Sequence, residues 1–155
     1  MWKESDIKMI ARNKKALFDY EILTKYEAWI KLQGHEVKSI RQWHANLKGS
    51  YASLNWLEMW IKWMHITPWK AIPNSQSIKP DAERKAMIHK KDLIYLSKKL
   101  KEKWFSLVPI DLYFKWSLIK ISVALVKWRK AHQKKQVLKE RAMDKEAKIA
   151  MKKYI

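Results

Sequence analysis

The chain has no cysteine, only two glycines and four prolines in 155 residues, and few acids: 15 Asp and Glu against 34 Lys and Arg. Without cysteine, disulfides and thiolate metal sites are excluded. That fits a reducing cytoplasm, which is the expected location. No run approaches the roughly 18 apolar residues of a membrane-spanning helix, and the opening residues do not read as a secretory signal. No membrane association is expected.

The shortage of acids leaves a formal net charge of +19. A folded domain gains no stability from that much like charge. Its usual use is a polyanion, because each neutralised phosphate releases counterions and adds salt-dependent affinity. A membrane-surface protein would segregate the charge beside an anchor, and none is visible here. Nucleic acid is therefore the expected partner. The length suits one domain with a core of its own.

The shortage of glycine is matched by an excess of tryptophan, ten in all. Trp56 follows Asn55 between two strand-like runs, where Asn-Gly would be the strongest hairpin signal. Trp116 lies in Lys115-Trp116-Ser117 between two alternating apolar segments, Trp43 stands between Gln42 and His44, and Trp128 is set in a basic run. Glycine supplies positive φ at a turn without steric cost, whereas a large ring gains little there. Some genetic codes read UGA as glycine and others as tryptophan. Most of these tryptophans are thus read as UGA codons decoded under the wrong code. A tryptophan-rich surface that stacks on bases is the alternative.

Catalytic and metal patterns are missing as well. His35, His44, His65, His89 and His132 form no HxxxH or HxH pair. No Ser/His/Asp order, glycine-rich phosphate loop or isolated carboxylate pair stands out. No metal, no cofactor and no enzymatic activity are expected.

What is present reads mostly as short strands. Residues 1–12 are expected to be a flexible N-terminus. Phe18, Tyr20 and Ile22 alternate as a strand. Thr24 then caps an expected helix from Lys25 to Gln33, with Glu27 as its first-turn acid and Gly34 closing it. Val37 and Ile40 lie in a second extended stretch, Tyr51 to Leu54 in a third, and Leu57, Met59 and Ile61 in a fourth. Ile66 to Pro80 holds three prolines and reads as a loop. Ala82 to Lys103 reads as a helix with Met87, Leu93, Leu96 and Leu100 on one face. Two clear strands joined at Lys115-Trp116-Ser117 follow. The expected fold is mainly β with helices: a small antiparallel OB-like β-barrel over 13–127, with two or three helices. A basic tail over 128–155 completes it. From Lys127 onward there are 11 Lys and Arg, three acids and no Gly or Pro. Such a tail is expected to be disordered or frayed alone and helical on a phosphate surface.

Several stretches together resemble the SmpB family. These are Asn13-Lys14-Lys15-Ala16 with Asp19-Tyr20, Glu27-Ala28-Trp29, and Leu32-Gln33-Gly34-His35-Glu36-Val37-Lys38-Ser39-Ile40-Arg41. Met64-His65-Ile66-Thr67-Pro68, Arg84-Lys85, Val108-Pro109 through Lys115, Ala124 through Lys130, and Lys139-Glu140-Arg141 continue the match. The resemblance runs from about residue 8 to the C-terminus. The family ordinarily has glycine where Trp29, Trp43 and Trp128 stand, which agrees with the recoding reading. It departs at Gln133-Lys134-Lys135, where the family has Asp-Lys-Arg, and near Ala82, where an arginine is usual.

The resemblance implies a non-catalytic protein that binds the tRNA-like domain of tmRNA and escorts it to stalled ribosomes. Its tail would enter the vacant mRNA channel at the small-subunit decoding centre. The implied RNA-binding set is Asn13, Lys14, Lys15, Glu27, Lys38, Arg41, Asn46, Lys127, Arg129 and Lys130. The cations serve as phosphate contacts, Asn13 and Asn46 have polar or structural roles, and Glu27 holds the RNA-binding face. The implied ribosome-binding tail set is His132, Lys134, Lys135, Lys139, Arg141, Lys145, Lys148 and Met151, with the His132 ring stacking on a base. A monomer is expected. A general basic OB-type RNA- or ribosome-binding protein without tmRNA specificity is the alternative.

Overall fold

Two long strands with continuously buried middles set the architecture. The computed structural model describes residues 6–154. Strand β8 (Phe105–Lys115) and strand β9 (Leu118–Trp128) form an antiparallel hairpin whose middle is buried on both strands. Ahead of them lie β1 (Ile7–Arg12), α1 (Lys14–Asp19), β2 (Tyr20–Ile30), α2 (Gly34–Arg41), β3 (Ala45–Asn46) and β4 (Tyr51–Asn55). Then come β5 (Glu58–Lys62), β6 (His65–Ile66), β7 (Arg84–Met87) and α3 (Lys90–Lys99), with α4 (Ala131–Lys153) after the hairpin.

The strands run β8-β4-β5-β7-β2-β9 and return to β8, so the sheet closes into an antiparallel ring. Two seams are short: β4 meets β8 only at Ala52 and Leu107, and β2 meets β7 only at Trp29–Met87 and Ile30–Ala86. The OB-like reading thus holds as a ring with thin joints rather than a uniform barrel. Strand β1 lies along the other end of β8, from Arg12 opposite Asp111 to Ile7 opposite Lys115. Inside the ring, Met59, Ile61, Leu107, Leu112, Ile121, Val123 and Leu125 are almost fully buried, joined by Ile40, Leu47, Met64 and Leu96. Each such side chain contributes about 1.5–3 kcal/mol by leaving water.

Several expectations need correction. Residues 7–12 form a strand, because β8 offers them a free edge. The 18–22 region begins as helix: the Asn13 side chain accepts from the Ala16 N–H and caps α1. Residues 25–33 are not a helix. Strand β2 runs through Ile30, paired with β9 from Tyr20–Trp128 to Trp29–Lys120. The helix starts at Gly34 instead, where the Gln33 N–H donates to Glu36 Oε1. Glu27 is therefore a strand residue, and Val37 and Ile40 are helical. The segment 82–103 divides into β7 and the shorter α3.

The tail forms one 23-residue helix with no buried residue. Its Ala, Lys, Gln, Glu, Leu and Met content favours helix, and its length exceeds the roughly 12–15 residues below which isolated helices are marginal. Gln133 accepts from the Lys130 N–H at 3.1 Å, and Lys152 and Lys153 face the negative end of the helix dipole.

Candidate nucleic-acid interface

Strand pairing brings four polar side chains together at one end of the β2-β9-β8 surface. Glu27 accepts hydrogen bonds from the Tyr113 hydroxyl at 2.7 Å, Lys120 Nζ at 2.5 Å and Lys115 Nζ at 3.3 Å. Partial burial pushes the Glu27 carboxyl up. The hydrogen bonds from Lys120, Tyr113 and Lys115, with the Lys120 charge, outweigh that and hold it at about 2. Burial, reinforced by the Glu27 carboxylate, raises the Tyr113 phenol well above its usual range. Lys120 also lies over the exposed Trp29 ring, 4.6 Å from its centroid. The carboxylate thereby holds two lysines and a tyrosine in one fixed cationic patch.

A second basic cluster forms at the other end of β2, seven residues or roughly 23 Å away. Tyr20 there pairs with Trp128, so α1 and the end of β9 are neighbours. Lys14, Lys15, Lys127 and Lys130 are exposed at this pole. Arg129 is partly occupied with structure, since its Nε donates to the Tyr20 carbonyl at 3.1 Å. Lys134, in the first turns of α4, pairs with Asp19 at 3.3 Å and lies over Trp128 at 4.2 Å. Arg141 approaches the Phe18 ring at 5.9 Å. The helix base is thus attached to α1, while His132, Lys135, Lys139, Lys145, Lys148 and Met151 remain exposed along it.

Lys38 and Arg41 occupy a third place, the outer side of α2, with Lys38 over the Trp69 ring at 4.3 Å. Asn46 is exposed and its side chain accepts from the Lys48 N–H at 2.9 Å, so it shapes the following turn. Asn13 is only 3% exposed. Its Nδ2 donates to the Leu47 and Pro109 carbonyls at 3.1 and 3.0 Å, tying α1 to the β3–β4 connection and to the bulge in β8. Of its two expected roles, the geometry supplies the structural one.

Sequence reading missed a buried ion pair behind α2. Arg84 Nε donates to Glu36, and its other nitrogens donate to the Met64, Pro80 and Ala82 carbonyls at 2.7–3.0 Å. The signal available was the Gln33-x-x-Glu36 start of a helix, which placed Glu36 at a defined position. Among the described residues, no group of His, Asp and Glu could hold a metal ion, and no helix is long and apolar enough to cross a membrane.

The family model described as SmpB protein matches residues 10–153. The chain belongs to the SmpB family. Similar curated relatives are SsrA-binding proteins. That of Gloeothece citriformis (strain PCC 7424) is 40% identical over 147 residues, spanning 95% of each chain. That of Carboxydothermus hydrogenoformans is 41% identical over 144 residues, 93% of this chain and 96% of the relative. That of Staphylococcus haemolyticus is 41% identical over 143 residues, 92% and 91%. A solved chain described in the words tmRNA-SmpB and bacterial ribosome superposes with a TM-score of 0.65 at 33% identity, covering 81% of this chain and 86% of that one. The ring is therefore an SmpB-family architecture.

Proposed function

We propose that this chain binds tmRNA through the folded ring and carries it to stalled ribosomes, with the α4 tail in the vacant mRNA channel. The carrying observation is the division of charge between two kinds of surface. The Glu27–Lys120–Lys115 patch and the Lys14–Lys15–Lys127–Lys130 pole sit on a rigid frame. Eight further cations line α4, a helix with no buried residue. A structured RNA read by shape and backbone suits the first, because A-form grooves offer phosphates and 2′-hydroxyls rather than readable base edges. A charged channel suits the second. The helix contributes no apolar core of its own, so ordering its lysines along phosphates is what would fix it in place.

On this reading Lys14, Lys15, Lys38, Arg41, Lys127, Arg129 and Lys130 contact phosphates, and Glu27 positions Lys115 and Lys120 instead of touching RNA. Asn13 and Asn46 hold the local backbone. His132 stacks on a base of the decoding centre, and Lys134, Lys135, Lys139, Arg141, Lys145, Lys148 and Met151 follow the channel. Messenger RNA and tail would compete for one space, which makes the tail a sensor of an empty channel. The protein binds and delivers, catalyses nothing, and works in the cytoplasm with the ribosome. A chain ending at Lys130 tests the division of labour. It should keep tmRNA binding nearly intact and lose peptide tagging in a reconstituted translation system. Loss of both together would refute separate roles for ring and tail.

A further inference from the structure

We infer that positions 43, 56, 63 and 116 are glycine positions, written here as tryptophan but filled in the native organism by glycine decoded from UGA. Five non-glycine residues in the described chain have a positive φ: Asn74 and these four tryptophans, with φ of 65°, 58°, 62° and 57°. Asparagine tolerates that region through its short polar side chain, but a bulky residue there is an outlier. Four tryptophans in this region are not expected by chance.

The turn types point the same way, each independently. Trp56 and Leu57 form a two-residue hairpin loop between the paired Asn55 and Glu58. Trp116 and Ser117 do the same between Lys115 and Leu118. In both loops φ is positive at the first central residue and not at the second. That is the type II′ pattern, whose first central residue is ordinarily glycine. Trp43 closes α2: its N–H donates to the Ile40 carbonyl, and the His44 N–H donates to the Ser39 carbonyl at 3.0 Å. This pair of bonds is a Schellman motif, and Trp43 occupies its left-handed C′ position, the commonest site for glycine after a helix. Trp63 takes the same conformation at the bend between β5 and β6.

None of the four rings is buried. Trp56 is 91% exposed and the others 49–61%, so the core gains nothing from them. Trp60 provides the contrast. It lies inside β5 opposite Ser53 and Lys85, partly buried and without positive φ, so its backbone accepts a ring. Trp29 and Trp128 also lie on strands without positive φ, and the inference does not extend to them.

Peptide mass spectrometry of the protein purified from its native organism tests this directly. Peptides spanning 43, 56, 63 and 116 should carry glycine, and tryptophan at these positions would overturn the inference. A second measurement uses recombinant protein. The combined Trp43→Gly, Trp56→Gly, Trp63→Gly and Trp116→Gly variant should melt roughly 10 °C above the chain as written. Trp60→Gly should lower the melting temperature, because glycine inside a strand loses packing and chain entropy. An unchanged or lower melting temperature for the fourfold variant would overturn the inference. So would an equal rise from Trp60→Gly.

Discussion

Arg84 and Glu36 face each other in the interior, 4% and 8% exposed, and the arginine closes the loop between β6 and β7 onto helix α2. One guanidinium satisfies a carboxylate and three backbone carbonyls at once. Replacing Arg84 by methionine leaves a buried carboxylate uncompensated, which costs about 3–5 kcal/mol. Urea unfolding of Arg84→Met should show that loss. A change below about 1 kcal/mol would mean that the pair is incidental.

Asn13 does two jobs with one side chain, and substitution can separate them. Asn13→Asp keeps the oxygen that caps α1 but removes the amide that serves Leu47 and Pro109. Asn13→Ala removes both. The alanine variant should lose about 1 kcal/mol for the cap, plus about 1 kcal/mol for the lost amide hydrogen bonds, since the Leu47 carbonyl still accepts from Ser50. Equal stability of alanine variant and parent, measured by thermal unfolding, would contradict the assigned role.

The Glu27 carboxyl is held at about 2, below its ordinary value of 4.5. The folded state therefore favours the carboxylate more strongly than the unfolded chain does. Its contribution is complete above about 4.5 and disappears as pH falls toward 2. A side-chain NMR titration should give a midpoint near 2. Lys120→Met should raise it by removing the leading hydrogen bond and charge that lower it. A midpoint near 4.5 in the unaltered protein would contradict the patch as described.

Removing the proposed phosphate contacts should change the salt dependence of binding more than its selectivity. Each of Lys14, Lys15, Lys127 and Lys130, changed to alanine, should reduce the slope of log affinity against log salt by about 1 or less. Arg129→Ala should also lower stability, because its side chain supports the Tyr20 carbonyl. Unaltered slopes across the lysine series would remove this pole from the interface.

The β8–β9 hairpin was legible because Ile119, Ile121, Val123 and Leu125 alternate without a break, β8 alternates on either side of its bulge, and a two-residue turn joins them. The second half of strand β2 was not, because the bulge between Ile22 and Thr24 interrupts its alternation before Tyr26, Ala28 and Ile30 resume it. Thr24 and Glu27 imitate a helix start there, and the nine-residue pairing with β9 overrides that local signal. Strand β7 is four residues long and exists because β5 and β2 lie on either side of it. Such a strand has no local signature. The lysines of the interface were visible as charge, but their grouping was not. Glu27 meets Lys115 and Lys120 across separations of 88 and 93 residues, which only the ring brings together.

The most direct test is a gel-shift comparison of tmRNA with bulk tRNA at about 0.15 M salt, using the full chain. A clear preference for tmRNA is expected, reduced by Lys120→Met while the ring stays folded. Equal binding to both RNAs by demonstrably folded protein would contradict it and leave a general basic RNA-binding ring.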